Sequence, residues 1–151
     1  MRGIPQKYIG GLKTIVVRES TTLNHKRRRS KTYLRKVKVK IKECLGLYHQ
    51  KWNREPAWIE LFIDNIYDGV PKFVLFIPFF RELILAQVLH HEIGHHIHYT
   101  KIPEFKEKED VAEKWTGKLF NYYFWHTYWY ILGPLYPFLK IYKYRRKIRV
   151  R

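Results

Sequence analysis

The spacing of apolar residues predicts strands in the first half of the chain and long helices in the second half. Residues 12–18 contain a run of β-branched residues, which predicts a buried strand. Residues 58–63 and 73–77 are two further short apolar runs, and Asp68-Gly69 between them is a turn signal. We expect these two runs to pair as neighbouring strands.

One segment of the first half, residues 32–48, fits two periods. Val37, Val39 and Ile41 alternate with lysines at the period of a strand. The segment also carries a helical stripe, formed by Leu34, Val37, Ile41, Leu45 and Tyr48. We expect a helix because the segment is long and the stripe extends across it. The polar, basic residues 20–31 before it show no period and predict a loop.

Two long helices are predicted in the second half. Residues 79–99 contain no proline and a single glycine, Gly94, and their core-facing positions are Leu83, Ile84, Val88, Ile93 and Ile97. Residues 100–103 predict a short break. Glu104 then opens a second helix that runs past Phe120, with acidic residues in its first turns, where the helix dipole favours them.

The composition indicates one folded domain without a cystine framework. The chain has 151 residues, of which 46% are apolar and 17% aromatic, enough to build a core and to exclude wholesale disorder. The single cysteine, Cys44, cannot form an intramolecular disulfide. A lone thiol fits a reducing compartment, and residues 1–13 have no apolar stretch of signal-peptide length, so we expect a cytoplasmic protein.

Charge is distributed unevenly along the chain. The net charge is +17, yet residues 55–113 hold eleven acids and five bases. Two blocks contain no acid: residues 26–42, with ten basic residues, and residues 140–151, with seven. We therefore expect a single domain with a basic N-terminal region, at about residues 20–42, and a basic C-terminal tail. Such blocks fit an anionic partner, either nucleic acid or a membrane surface.

The candidate chemistry is concentrated in His91-Glu92-Ile93-Gly94-His95 of the first long helix. Histidines at i and i+4 project from one helix face, so both imidazoles can bind a single zinc ion. Glu92 lies where it can take a proton from a zinc-activated water and pass it to a leaving amine, which is the role of a general base. The pattern also occurs by chance in helices, and a catalytic zinc site needs a third ligand from elsewhere in the chain.

The second long helix offers such a ligand in Glu109-Asp110-Val111-Ala112-Glu113. Glu109 would complete a His-His-Glu zinc site, and Ala112 would let the two helices approach closely. Glu113, one turn on, could hydrogen-bond a ligand imidazole. The alternative is that acids of this helix cap its first turn and face solvent, which we favour for Glu104, Glu107 and Asp110.

Other side chains could contribute to the same site. His98 is one helical step beyond His95, so a three-histidine site is conceivable, although catalytic sites usually recruit a ligand from another element. His90 and His96 are expected at the surface or behind the ligands. Candidates for stabilising a tetrahedral oxyanion are His126, Tyr122, Tyr123 and Tyr128, and each of them could serve in aromatic packing instead.

Over about residues 57–120 the chain resembles the gluzincin clan of zinc metallopeptidases, in particular the small soluble minigluzincins. The resemblance lies in His91 to His95, in the following His96-Ile97-His98, and in the ExxA-acid segment from Glu109 to Glu113. It implies an α+β, minimal zincin-like fold: a small mixed sheet with a backing helix, an active-site helix and a glutamate helix. It also implies Zn²⁺-dependent peptide hydrolysis, with His91, His95 and Glu109 as ligands and Glu92 as base, and kinship with the catalytic cores of integral-membrane metallopeptidases.

The resemblance is partial. Fourteen positions separate His95 from Glu109, and the basic terminal regions show no likeness to that clan. Metzincins are excluded because His98 and Lys101 stand where their pattern needs glycine and histidine. We expect a peptide or protein substrate, held by an edge strand near residues 73–77, and a latent enzyme if a basic tail covers the cleft.

Two functions of other classes remain. The basic blocks are consistent with a nucleic-acid-associated protein that carries a structural or non-catalytic zinc site. Residues 119–139, an uncharged aromatic stretch before the basic tail, are consistent with peripheral membrane contact. Gly133, Pro134 and Pro137 make that stretch a poor spanning helix.

Overall fold

A small β-sheet packs against two long antiparallel helices in the computed structural model, which describes residues 4–34, 37–101 and 108–132. The strands are β1 (Leu12–Arg18), β2 (Lys31–Leu34), β3 (Val37–Lys40), β4 (Gly46–His49) and β5 (Ala57–Phe62). The helices are α1 (His25–Arg29), α2 (Ile63–Tyr67), α3 (Lys72–Leu75), α4 (Pro78–Lys101) and α5 (Lys108–Leu132). The described chain is thus a mixed α/β domain.

The main sheet has three strands in the order β1-β5-β4. The central strand β5 runs parallel to β1 and antiparallel to β4, so that Ile59 faces Ile15 on one side and Tyr48 on the other. All residues of β5 except Trp58 are buried, as expected of a central strand with both faces covered. The strands β2 and β3 form a separate antiparallel hairpin. The strand β4 is therefore an edge of the main sheet among the described residues.

The core lies between the inner face of β5 and the helix pair. Its buried members are Ile59, Leu61, Ile66, Ile93, Ile97 and Leu119. Of the positions predicted to face the core from α4, Ile93 and Ile97 are fully buried, and Ile84 and Val88 pack against this cluster. Each buried aliphatic side chain contributes about 1.5–3 kcal/mol to stability. This packing determines the orientation of α4 against the sheet, and with it the positions of the histidines on that helix.

The helix predicted for residues 32–48 is wrong, and with it the backing helix of the expected fold. The segment forms β2, β3 and β4, with a single-turn 3-10 helix at Ile41–Glu43. The period of two was the correct signal for Val37 and Val39, which lie in β3, because β-branched residues favour a pleated strand over a helix. Ile41, the third member of that pattern, lies in the 3-10 helix. The loop predicted for residues 20–31 also contains short helices at Ser20–Thr22 and His25–Arg29.

The strand predicted for residues 73–77 is wrong as well, and so is its pairing with residues 58–63. The run forms the short helix α3, which follows Pro71 and is separated from α4 by two residues. Short apolar runs do not distinguish a strand from a helix by period, and proline suits the first turn of a helix. The strands at residues 12–18 and 58–63 and the turn at Gly69, whose φ is +76°, are confirmed.

The two long helices are confirmed in type. The predicted break is wrong at its start, because Thr100 and Lys101 still belong to α4. Residues 102–107, with the expected start of the second helix and with Glu104 and Glu107, lie outside the described residues, and α5 is described from Lys108 onward. Within the described ranges no helix is both long and apolar enough to span a lipid bilayer.

A buried carboxylate on the outer face of the sheet links four segments of the chain. Glu60 of β5 is fully buried, hydrogen-bonds Arg27 and His49, and forms an ion pair with Arg18 at 3.1 Å. Burial raises the pKa of Glu60, but the hydrogen bond from His49 and the charges of Arg27 and Arg18 outweigh it and hold the pKa below its usual value.

We expect the stability of the protein to depend on the ionisation of Glu60. A lowered folded-state pKa gives a stabilisation that is complete above the ordinary glutamate pKa of about 4.3 and is lost as pH falls through the lower folded-state value. Urea unfolding at pH values across that window should show this loss in wild type and not in Glu60→Gln. The exposed Glu55→Gln variant is the matched control. Parallel pH profiles for wild type and Glu60→Gln would contradict the prediction.

Candidate metal centre

The helices α4 and α5 meet at two small residues. A Cβ added to Gly94 would lie 2.7 Å from the backbone oxygen of Ala112 and 2.8 Å from its Cα. Ala112 is itself fully buried. A glycine and an alanine therefore let the two backbones come closer than larger side chains would allow. The role predicted for Ala112 is confirmed, and Gly94 is its partner, which the sequence analysis did not identify.

This close contact brings Glu109 to both histidines of the HExxH segment. Glu109 Oε2 lies 3.2 Å from Nε2 of His91, and Glu109 Oε1 lies 3.5 Å from Nε2 of His95. One potential ligand atom from each of the three residues lies within 4.8 Å of the other two. Glu109 is buried and the two histidines are partly exposed, so the group lies at the edge of the protein interior.

The charges around this group favour protonated histidine when no metal is bound. The hydrogen bond with Glu109 raises the pKa of His91, burial opposes it, and the charges of Glu92, Glu109 and Glu113 add to the increase. Glu113 is exposed, and its hydrogen bond to a ligand imidazole stays a prediction. A metal cation that replaces the proton held between His91 and Glu109 would have the same carboxylates around it.

Glu92 lies behind the group, against the edge strand β4. Its side chain is buried, and a Cβ at Gly46 would lie 2.8 Å from Glu92 Oε1, so only glycine leaves room for the carboxylate there. Burial raises the pKa of Glu92 to about 7, although the charge of His91 and a hydrogen bond from the backbone N–H of Tyr48 oppose the shift. A carboxylate with a pKa near neutrality can both accept and return a proton at physiological pH.

The strand beside the candidate site is thus β4 and not residues 73–77, where an edge strand was expected. β4 runs antiparallel to β5, and its Gly46 and Tyr48 both contact Glu92. The sequence does not predict β4, because its residues also fit the helical stripe that ends at Tyr48. Gly46 was the available signal, since a glycine within a strand often marks a close approach of another group.

The remaining histidines of α4 belong to the core. His96 is buried, with Nδ1 3.1 Å from the hydroxyl of Tyr48 and Nε2 donating to the carbonyl of Gly10 at 3.0 Å. His90 is buried beside the rings of Phe120 and Tyr123, and burial lowers its pKa to about 4. The expectation of a surface position for both is wrong. His98 is also buried, and it is not part of the three-residue group.

The residues considered for oxyanion stabilisation are distant from this group. Tyr122, Tyr123, His126 and Tyr128 follow Glu109 by 13 to 19 positions in α5, which is about 20–28 Å along a helix. The hydroxyls of Tyr123 and Tyr128 donate to the two carboxylate oxygens of Glu82, at 2.6 and 2.9 Å. Tyr122 stacks on His126. These residues therefore serve in aromatic packing, which was the alternative hypothesis for each of them.

The single cysteine lies near the carboxylate of Glu92. Burial, followed by the charges of Glu92 and Glu43, raises the pKa of the Cys44 thiol to about 11. The thiol is therefore protonated at neutral pH, and a protonated thiol is a poor nucleophile and a poor metal ligand.

The basic N-terminal block forms a small module beside the sheet. Residues 26–29 lie in α1, and the block continues through the β2–β3 hairpin, where Lys31 is directly opposite Lys40. Like charges in opposite positions of a hairpin destabilise it. Binding of nucleic acid by this module stays a prediction. The tail at residues 140–151, with its predicted inhibitory role, lies outside the described residues.

Neither models of protein families, nor curated proteins, nor solved structures match this chain. Any function assigned to the His91–His95–Glu109 group therefore rests on the geometry of the group and of the strand beside it.

Proposed function

We propose that the protein is a zinc-dependent metallopeptidase of minimal zincin-like architecture, with His91, His95 and Glu109 as zinc ligands and Glu92 as general base. The observation that carries the proposal is that α4 and α5 bring three ligand atoms within 4.8 Å of one another. A chance HExxH pattern in a helix would not require a carboxylate from a second helix at this point.

The donor set fits zinc in chemistry, and its three ligand atoms, which lie within 4.8 Å of one another, would converge slightly to bind one ion. Two imidazoles and one carboxylate form a recurrent catalytic zinc set that leaves a fourth position open. Zinc–ligand bonds of 2.0–2.2 Å in tetrahedral geometry separate ligand atoms by about 3.4 Å. The Glu109 oxygens lie 3.2 and 3.5 Å from the two imidazole nitrogens. When bound, zinc would supply Lewis acidity that acidifies a water molecule and polarises a substrate carbonyl.

The chain supplies the remaining functions of such a site. Glu92, buried next to His91 and against β4, would accept a proton from water and donate it to the leaving amine. The edge strand β4 offers backbone groups to which an extended peptide could add as a further strand. Because Gly46 and Tyr48 of this strand contact Glu92, a peptide on that edge would lie next to the proton-transferring carboxylate.

Zinc binding tests the proposal first. Elemental analysis of purified wild-type protein should find close to one zinc per chain. His95→Ala and Glu109→Gln should each weaken zinc binding at least tenfold, because a three-ligand site that loses one ligand retains two.

The apparent affinity for zinc should also fall as pH is lowered, because zinc must displace the proton favoured by the raised pKa of His91.

His126→Ala is the matched control for zinc binding. His126 is an exposed histidine of α5, remote from Glu109, and its loss should leave the zinc content unchanged. A wild-type protein that cannot be loaded with zinc would refute the proposal, and so would equal zinc content in all variants. Zinc binding without peptide hydrolysis would leave the non-catalytic zinc site as the correct description.

A further inference from the structure

A group of exposed apolar side chains lies at one end of the helix pair. Its members are Phe73, Phe76 and Ile77 around α3, Phe80 at the start of α4, and Trp129 and Tyr130 near the end of α5. We call this group the aromatic tip. Phe76 is 84% exposed, Phe73 73% and Trp129 64%. Single exposed apolar residues are ordinary on soluble proteins, whereas several large ones at one place mark an interaction surface.

Ring contacts link the start of α4 with the end of α5, and α3 directly precedes α4 in the chain. Phe79 lies 5.3 Å from the ring of Phe80 and 4.7 Å from the ring of Tyr128, which directly precedes Trp129. The start of α4 is therefore beside the end of α5. The tip is separate from the metal centre, because Phe80 precedes His91 by eleven residues of α4, or about 16 Å.

The segments of the tip carry few charges, two bases and one acid. In the tip segments, residues 70–82 and 119–132, Glu82 is the single acid in the sequence, and its carboxylate accepts the hydrogen bonds of Tyr123 and Tyr128. Lys72 and Arg81 are exposed beside the phenylalanines. α5 is described to Leu132 at this end, and the acid-free block at residues 140–151, with seven bases, follows later in the sequence.

We propose that the aromatic tip binds the interface of an anionic lipid bilayer. Trp and Tyr favour the headgroup region, Phe can enter the acyl boundary, and Lys and Arg attract anionic headgroups. A protein partner would explain the apolar residues but not the coincidence of an acid-poor surface with a basic tail. The tip would hold the protein on the membrane surface without crossing it.

Vesicle sedimentation tests the proposal with the full chain. Wild type should bind vesicles of mixed phosphatidylcholine and phosphatidylglycerol more tightly than vesicles of phosphatidylcholine alone. The double variant Phe73→Ser/Phe76→Ser should bind the mixed vesicles at least about tenfold more weakly, since two exposed phenylalanines lose their burial in lipid. Trp129→Ser, on the other side of the tip, should weaken binding in the same direction and gives an independent reading if the double variant folds poorly.

Trp52→Ser is the matched control. Trp52 is 68% exposed and borders a surface cavity with Tyr99, towards the other end of α4. Its loss should leave vesicle binding unchanged, as should Glu92→Gln, because the tip does not depend on the metal centre.

Failure of wild type to bind the mixed vesicles, or equal binding by wild type and the tip variants, would overturn the proposal. Displacement from the vesicles by duplex DNA, with the tip variants binding as wild type, would assign the anion binding to the basic blocks instead.

Discussion

Replacing Glu92 with glutamine should lower kcat/KM for peptide hydrolysis by about a thousandfold, because general acid–base catalysis contributes 10²–10⁴-fold and glutamine cannot carry the proton. Glutamine matches glutamate in size, so it should fit against Gly46 and still accept the hydrogen bond from the backbone of Tyr48. The zinc content should therefore remain near that of wild type. The measurement is cleavage of a fluorogenic peptide library by zinc-loaded protein, followed by kinetics on the best substrate.

The control for this loss is the same substitution at an exposed carboxylate, Glu55→Gln, which should leave the rate unchanged. Glu92→Gln protein that binds zinc but retains wild-type activity would show that another group transfers the proton. Equal residual activity in Glu92→Gln and His95→Ala would point to a contaminating peptidase.

Two glycine-to-alanine substitutions should change stability in opposite directions. At Gly94 the added methyl group would meet the backbone of Ala112 at 2.7–2.8 Å, so the helices must separate, and we expect the free energy of unfolding to fall by roughly 1–3 kcal/mol. At Gly117 a Cβ meets no atom within 4 Å. There alanine should stabilise α5 by up to about 1 kcal/mol through its higher helix propensity.

The same pair of variants tests how the metal centre is held together. Separation of the helices would draw Glu109 away from His91 and His95, so zinc affinity should drop at least tenfold in Gly94→Ala and remain unchanged in Gly117→Ala. Urea unfolding and zinc titration are the two measurements. Stability and zinc affinity in Gly94→Ala that match those of wild type would show that the close approach of the two helices is not needed.

The part of the candidate site that could be predicted from the sequence is the part with local geometry. His91, Glu92 and His95 lie within little more than one turn of a helix, so their relative positions follow from helical spacing alone. The approach of Glu109 to the two histidines depends on packing between α4 and α5. The sequence indicates this packing through the two small residues Gly94 and Ala112. The proximity of these groups was therefore predictable, whereas their binding of zinc stays a prediction.

The part that could not be predicted depends on contacts between distant segments. Residues 32–48 satisfy both a strand period and a helix period. The β2–β3 hairpin is a local pairing, whereas β4 forms by pairing with the later strand β5, which a local pattern does not contain. The contact of Gly46 with Glu92 and the exposure of Phe73 and Phe76 also depend on contacts between distant segments, so the sequence pattern could not predict them. Burial is a property of the assembled chain, so an apolar run alone could not show which of its members would stay at the surface.

The parallel pairing of β1 with β5 constrains the order in which the chain can assemble. Ile15 pairs with Ile59, 44 positions later, and Nε2 of His96 donates to the carbonyl of Gly10, just before β1. Closing so long a loop costs entropy before the strand gains any contact, which slows the folding of non-local topologies. During synthesis β1 leaves the ribosome first, yet its native partners are incomplete until α4 has followed. Until then this β-branched strand has no native sheet partner, and an unpaired strand of this kind is prone to aggregate.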